Sequence, residues 1–259
     1  ERCEEFRQKV PEATRAASIA GQFNTGTNAM AMYFGQNLKM PGTKRGGFMA
    51  NVPWHKHGWV DLRGQYKFKP PEDVTQVMPI VIVRDPYGWF QSMCESPYLL
   101  NGEWVGENCP NLLDSKRASV PAKLMLGKGL QHKRTWDSLV HVWAEWYGEY
   151  YDASFPRLMI RFEDILFHTP AVLDEIRECV GGVWKNDEFI YQTASSKGGK
   201  KYFEDIKPQS SMISAIIKYG QDLRGRRTHN MTNSDLKFAR KYLDERLMKT
   251  FQYKHPDEL

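Results

Sequence analysis

The chain has 259 residues, 41% hydrophobic and 26% charged, and its 36 Lys and Arg against 31 Asp and Glu give a net charge of +5. That apolar content is enough to bury a sizeable core, which excludes a disordered chain. The mild positive excess suits an anionic small molecule but falls short of the basic stripe of a nucleic-acid-binding protein, and no apolar run approaches the roughly 20 residues that span a bilayer.

The sequence starts at Glu1 with neither Met nor a signal-like apolar stretch. An upstream region is therefore expected to be missing, and the compartment stays open between the cytoplasm and the Golgi or ER lumen. Cys3, Cys94, Cys109 and Cys179 lack metal-site spacing and are too sparse for a disulfide scaffold. Buried free thiols are the default expectation, with a Cys94–Cys109 bridge as the alternative in an oxidising compartment. Asn230-Met231-Thr232 is a glycosylation sequon, and the terminal Pro-Asp-Glu-Leu is a near miss to a retention signal.

In chain order, strands are predicted over 16–21, 47–52, 77–83 and 158–162. The third, VMPIVIV, is a continuous apolar run of the kind buried on both faces of a parallel sheet. The segment 96–133, rich in Gly, Pro and Asn, reads as a lid or substrate-binding excursion. A helix over 135–151 would align Trp136, Leu139, Val140, Trp143, Tyr147 and Tyr150 on a core stripe. Another is predicted over 170–179, with Pro170 in its first turn and Gly181-Gly182 stopping it. A last one, over 233–250, opens on Thr232 and Asp235 in capping-box spacing. Alternating strands and helices predict one α/β domain over 1–259, with a central, mainly parallel sheet flanked by helices.

The chemistry concentrates at strand ends. After the first strand, Asn24-Thr25-Gly26-Thr27-Asn28 form a tight polar turn that leads into a helix, a junction that points backbone N–H groups at one spot and suits a phosphate. A nucleotide-triphosphate loop would carry Lys where this chain has Thr27. After the third strand, Arg84-Asp85-Pro86 places a guanidinium at a strand's carboxyl end, with Ser92 two helical turns onward; Arg84 suits a second phosphate, or else an ion pair with Asp85.

Thr25-Gly26-Thr27 after strand one, with Arg84 and Ser92 in VRDPYGWFQS, resemble the two donor-binding motifs of sulfotransferases that use 3′-phosphoadenosine 5′-phosphosulfate (PAPS). The segments RLMIRFEDILFHTPAVLDEI, RGRRTHNM and ERLMKTFQY are similar to later parts of that family, so the resemblance spans about residues 16 to 253. It implies a P-loop-like sulfotransferase fold and PAPS as donor, with no metal requirement. Residues 24–28 would hold the 5′-phosphosulfate, Arg84 and Ser92 the 3′-phosphate, and Gly225, Arg226 and Arg227 a basic loop closing over the nucleotide. Many members carry Lys or Arg where this chain has Asn24, so another cation is expected to compensate.

The segment VPWHKHGWVDL offers it. His57 is the expected base for the acceptor proton and Lys56 the expected cation, with His55 in reserve. If the segment runs extended, Lys56 faces away from both histidines, and only a turn near Gly58 would unite base and cation. Lys201, within 195–203, is a further basic candidate. The acceptor would be a small molecule or carbohydrate with a hydroxyl or amine, met by an aromatic wall of Trp54, Trp59, Trp89, Tyr98 and Trp104 unless those rings are core. A P-loop nucleotide kinase with Asp85 as magnesium ligand, and a nucleotide-binding protein without transfer activity, are the alternative readings.

Overall fold

Seven consecutive apolar residues, Val77–Val83, are buried end to end. Ala16–Gly21 lies beside them in parallel, with Ala16 opposite Val77 and Gly21 opposite Ile82. These two strands centre the fold of the computed structural model, which describes residues 2–41, 47–65, 73–126, 132–192, 212–220 and 223–258. The chain divides into two compact units that interleave in sequence, one from 1–83 with 153–221 and the other from 84–152 with 222–259.

Residues 1–83 carry α1 (Cys3–Lys9), β1 (Ala16–Gly21), α2 (Thr27–Asn37), β2 (Leu38–Lys39), β3 (Phe48–Met49) and β4 (Val77–Val83). Residues 84–152 carry α3 (Pro86–Glu95), β5 (Leu100–Asn101), β6 (Ala122–Leu126), β7 (His132–Trp136) and α4 (Leu139–Asp152). The chain then returns to the first unit with β8 (Leu158–Arg161), α5 (Phe162–Phe167), α6 (Thr169–Val180), β9 (Val183–Trp184) and α7 (Met212–Gly220). It ends in the second with α8 (Leu223–Arg227), α9 (Asn233–Tyr242) and α10 (Glu245–Thr250).

In the first unit the order β3-β1-β4-β8 makes a four-stranded sheet in which every pairing is parallel. Strand side chains alternate between faces. Ala17 and Ile19 of β1, Met78, Ile80 and Ile82 of β4, and Leu158 of β8 therefore share a core with Phe6 of α1, Met30 and Phe34 of α2, and Leu173 and Ile176 of α6. The expected parallel α/β sheet with helices is thus present. α6 stops where Gly181 adopts φ +74°, a left-handed cap that glycine takes without strain. Arg7 Nη1 donates to the last carbonyls of α6, Glu178 O at 2.6 Å and Cys179 O at 2.9 Å.

The second unit packs aromatic rings. Trp143 and Trp146 of α4 both meet Tyr147 edge to face, and Trp146 also meets Tyr150, all fully buried. Leu139, Val140, Trp143, Tyr147 and Tyr150 thus line the expected core stripe, Trp146 is buried beside them although it was not expected there, and Trp136 lies on a strand instead. An antiparallel sheet, β5-β6-β7, precedes them. Within 96–133 the strands take only 100–101, 122–126 and 132–133, most of the rest being turns and irregular chain, while 127–131 lie outside the described residues.

Several expectations are corrected. All four cysteines are paired, Cys3 with Cys179 and Cys94 with Cys109, not free thiols. The helix expected from 135 starts at Leu139, because His132–Trp136 pairs with β6 and Ser138 caps the next turn, its Oγ accepting from Val140 N at 3.2 Å. The helix expected over 233–250 breaks at Leu243, and Asp244 starts α10 by accepting from Arg246 and Leu247 N–H groups. The strand expected over 47–52 is only Phe48–Met49. Trp54, Trp59, Trp89 and Trp104 are buried at 4% exposure or less, which makes them packing residues rather than a wall facing an acceptor.

Candidate anion-binding site

The site is built where β1 ends. The chain leaves the sheet at Gly21 and turns through Asn24, whose φ of +60° is a left-handed conformation that asparagine tolerates better than lysine. Thr25, fully buried, closes the turn by donating its Oγ1 hydrogen to Gln22 O at 2.7 Å. Gly26 follows at φ +81° as the N-cap of α2, and it brings no side-chain bond to the helix's first turn. That position needs glycine twice over, since an added Cβ would lie 2.7 Å from the Phe162 ring. A helix whose first N–H groups have no side-chain cap presents them, with the positive end of its dipole, to an anion.

The segment 52–58 is fastened against this turn. Val52 N donates to Ile19 O at 3.0 Å, Gly21 N donates to Lys56 O at 2.8 Å, and His57 Nδ1 donates to Gly21 O at 2.6 Å. A carbonyl only accepts, so Nδ1 of His57 carries the proton and Nε2 is the basic nitrogen of that tautomer. Lys56 Nζ donates to Asn28 Oδ1 at 2.7 Å, which holds an ammonium at the first turn of α2. The segment is not extended, so its side chains do not alternate. His55 sits at φ +80°, and turn bonds from His55 N to Val52 O and from Gly58 N to His55 O fold the chain. Gly58 leaves no room for a Cβ, which would lie 2.4 Å from Trp54 O. Lys56 and His57 therefore both reach the end of β1. His55 stands behind, its Nδ1 accepting from His57 N at 3.2 Å.

Burial sets the protonation of this trio. It lowers His55 to about 4, helped by the Lys56 charge. It holds His57 well below the usual imidazole value, with Lys56 and His55 adding to the effect and the Gly21 carbonyl opposing it, and it lowers Lys56 as well. Phe23 covers His57, with ring centroids 4.1 Å apart. Both imidazoles are thus neutral at neutral pH, next to a desolvated ammonium.

Sequence reasoning missed Gln22. Its side chain is fully buried where β1 ends, and among the described residues neither its Nε2 nor its Oε1 finds a hydrogen-bond partner. A long polar side chain closing an apolar strand was the available signal.

In the second unit, Arg84 opens the chain and Asp85 caps α3 by accepting from Gly88 N at 2.7 Å, with Pro86 in the first turn as expected. Arg227 donates to both Asp85 oxygens, Nε to Oδ2 at 2.9 Å and Nη2 to Oδ1 at 2.6 Å, in a buried bidentate pair. Arg227 Nη2 also donates to Lys254 O at 2.5 Å. The basic stretch expected as a loop is helical, α8, and carries Gly225 exposed and Arg226 half-buried. Gln91 of α3 anchors the turn after α8 by donating to His229 O at 2.9 Å. Arg84 is buried, its carbonyl accepting from Trp143 Nε1 at 2.9 Å, and Ser92 is half-buried on α3. Lys201 and the rest of 195–203 lie outside the described residues.

Comparison with protein-family models, with curated proteins and with solved structures finds no match. The chemistry must therefore be read from the site. The turn after β1 offers backbone donors, hydroxyl residues, one ammonium and one neutral imidazole, a set suited to holding an anionic group and to moving a proton beside it.

Proposed function

We propose that the chain is a sulfotransferase of P-loop-like fold, moving a sulfuryl group from PAPS to a hydroxyl or amine of a small-molecule or carbohydrate acceptor. The observation that carries this reading is the Lys56 ammonium on Asn28 at the first turn of α2. It supplies, from the next strand's loop, the cation that the motif lacks at Asn24. In the reaction the bond between sulfur and the bridging phosphate oxygen breaks as the acceptor oxygen or nitrogen bonds to sulfur. The first-turn amides of α2 and Lys56 take up the charge developing on the 5′-phosphate. His57, held by Gly21 O, accepts the acceptor's proton at Nε2. Arg84 and Ser92, assigned to the 3′-phosphate by the resemblance, and Arg226 of α8 belong to the other unit.

The kinase reading is weaker. Asp85, its magnesium ligand, is already committed to Gly88 N–H and Arg227. The two disulfides support an oxidising compartment such as the ER or Golgi lumen over the cytoplasm.

Calorimetry decides between the readings. Adenosine 3′,5′-bisphosphate is expected to bind in the micromolar range without magnesium and ATP with magnesium much more weakly, and Lys56→Ala and Arg84→Ala are each expected to weaken the bisphosphate about tenfold or more, roughly 1.4 kcal/mol. Binding of ATP alone, or an unchanged affinity in Lys56→Ala, would overturn the assignment.

A further inference from the structure

The chain contains a single Asn-X-Ser/Thr sequon with X other than proline, Asn230-Met231-Thr232. Its place in the fold is specific. Residues 228–230 form the turn between α8 and α9, closed by Met231 N donating to Thr228 O at 2.9 Å, and Asn230 is exposed at its tip with φ +58°. Thr232 is exposed too, and it heads α9 with a full capping box: its Oγ1 accepts from Asp235 N while Asp235 accepts from Thr232 N. A glycan on Asn230 therefore leaves the surface without displacing a core side chain or the cap. A second, independent observation points to the compartment where such a modification occurs, since every cysteine of the chain is in a disulfide.

We infer that Asn230 is an N-glycosylation site. The donor is a lipid-pyrophosphate-linked oligosaccharide. The bond between the sugar's anomeric carbon and the pyrophosphate oxygen breaks, the Asn230 amide nitrogen bonds to that carbon and loses one proton, and the lipid pyrophosphate leaves. This site stands apart from the sulfuryl-transfer reading and does not depend on it.

The test expresses the full chain behind a cleavable secretion leader in a eukaryotic cell and recovers protein from the lumen or medium. Treatment with an amidase that removes N-linked glycans is expected to lower the mass in one step and to leave residue 230 reading as Asp in peptide mapping. Asn230→Asp, which keeps a residue tolerant of the left-handed turn, is expected to abolish the step. Thr232→Ser, which keeps the hydroxyl for both sequon and cap, is expected to retain it. Lumenal protein whose mass does not respond to the amidase, or a step that persists in Asn230→Asp, overturns the inference.

Discussion

His55 and His57 couple the candidate site to pH. Both imidazoles have folded values depressed below 6.5, so the unfolded chain takes up protons first on acidification. The stability they support is complete above about 6.5 and is lost as pH falls toward the His55 value of about 4. Allowing for the partial exposure of His55, the loss is expected to be on the order of 2 kcal/mol, read as a falling urea midpoint between pH 7 and 4.5 that flattens in a His55→Gln variant. Asp85 offers a sharper test. Asp85→Asn preserves an N-cap acceptor for Gly88 N–H but leaves Arg227 buried without its carboxylate, and truncating one partner of such a pair costs about 3–5 kcal/mol. Equilibrium unfolding should show a loss of at least 2 kcal/mol, and a near-neutral effect would mean that Lys254 O alone satisfies the guanidinium.

Gly26 makes the case for the element. Gly26→Ala forces a left-handed alanine and drives its Cβ into the Phe162 ring, so about 2 kcal/mol or more of stability should go, together with bisphosphate binding. Adding Phe162→Leu should restore part of the stability, because only the steric share of the cost is relieved. How much of the elements was legible depended on how local their causes are. Ala16–Gly21 and Val77–Val83 were read to the residue, since a short run of small or apolar residues bounded by Arg15 and Gln22 in one case and by Gln76 and Arg84 in the other admits few alternatives. Thr135 and Trp136, the end of His132–Trp136, were absorbed into the following helix because Trp136 falls on the same 3.6-residue stripe as Val140 and Trp143, and only pairing with β6 separates them. The break at Leu243 was invisible for the same reason, as Leu247 continues the apolar spacing past the point where Asp244 caps a new helix. That Lys56 and His57 meet at the end of β1 was left conditional on a turn near Gly58, because alternation assumes an extended backbone and only the structure shows His55 departing from it.

At the scale of the whole molecule, the sequence concealed what is nonlocal. Nothing in composition marks the passage from one unit to the other at 83–84, where an apolar strand runs straight into Arg84. Nor can spacing reveal that Cys3 finds Cys179 across 176 residues, while the Cys94–Cys109 closure of 15 residues was at least conceivable. In the chain-entropy view these closures constrain the unfolded chain by about 5 and 3 kcal/mol respectively. Melting in the presence of a strong reductant should therefore occur well below melting in its absence. Cys94→Ser/Cys109→Ser should account for the smaller part of that difference.

The Cys3–Cys179 bridge also turns most of the polypeptide into a ring. The stretch from 84 to 152, which belongs to the other unit, lies wholly inside it. A single protease cut after exposed Arg117 would leave two pieces that migrate as one species on a non-reducing gel and part only when thiol is added. The molecule can thus be severed in its backbone and still travel intact.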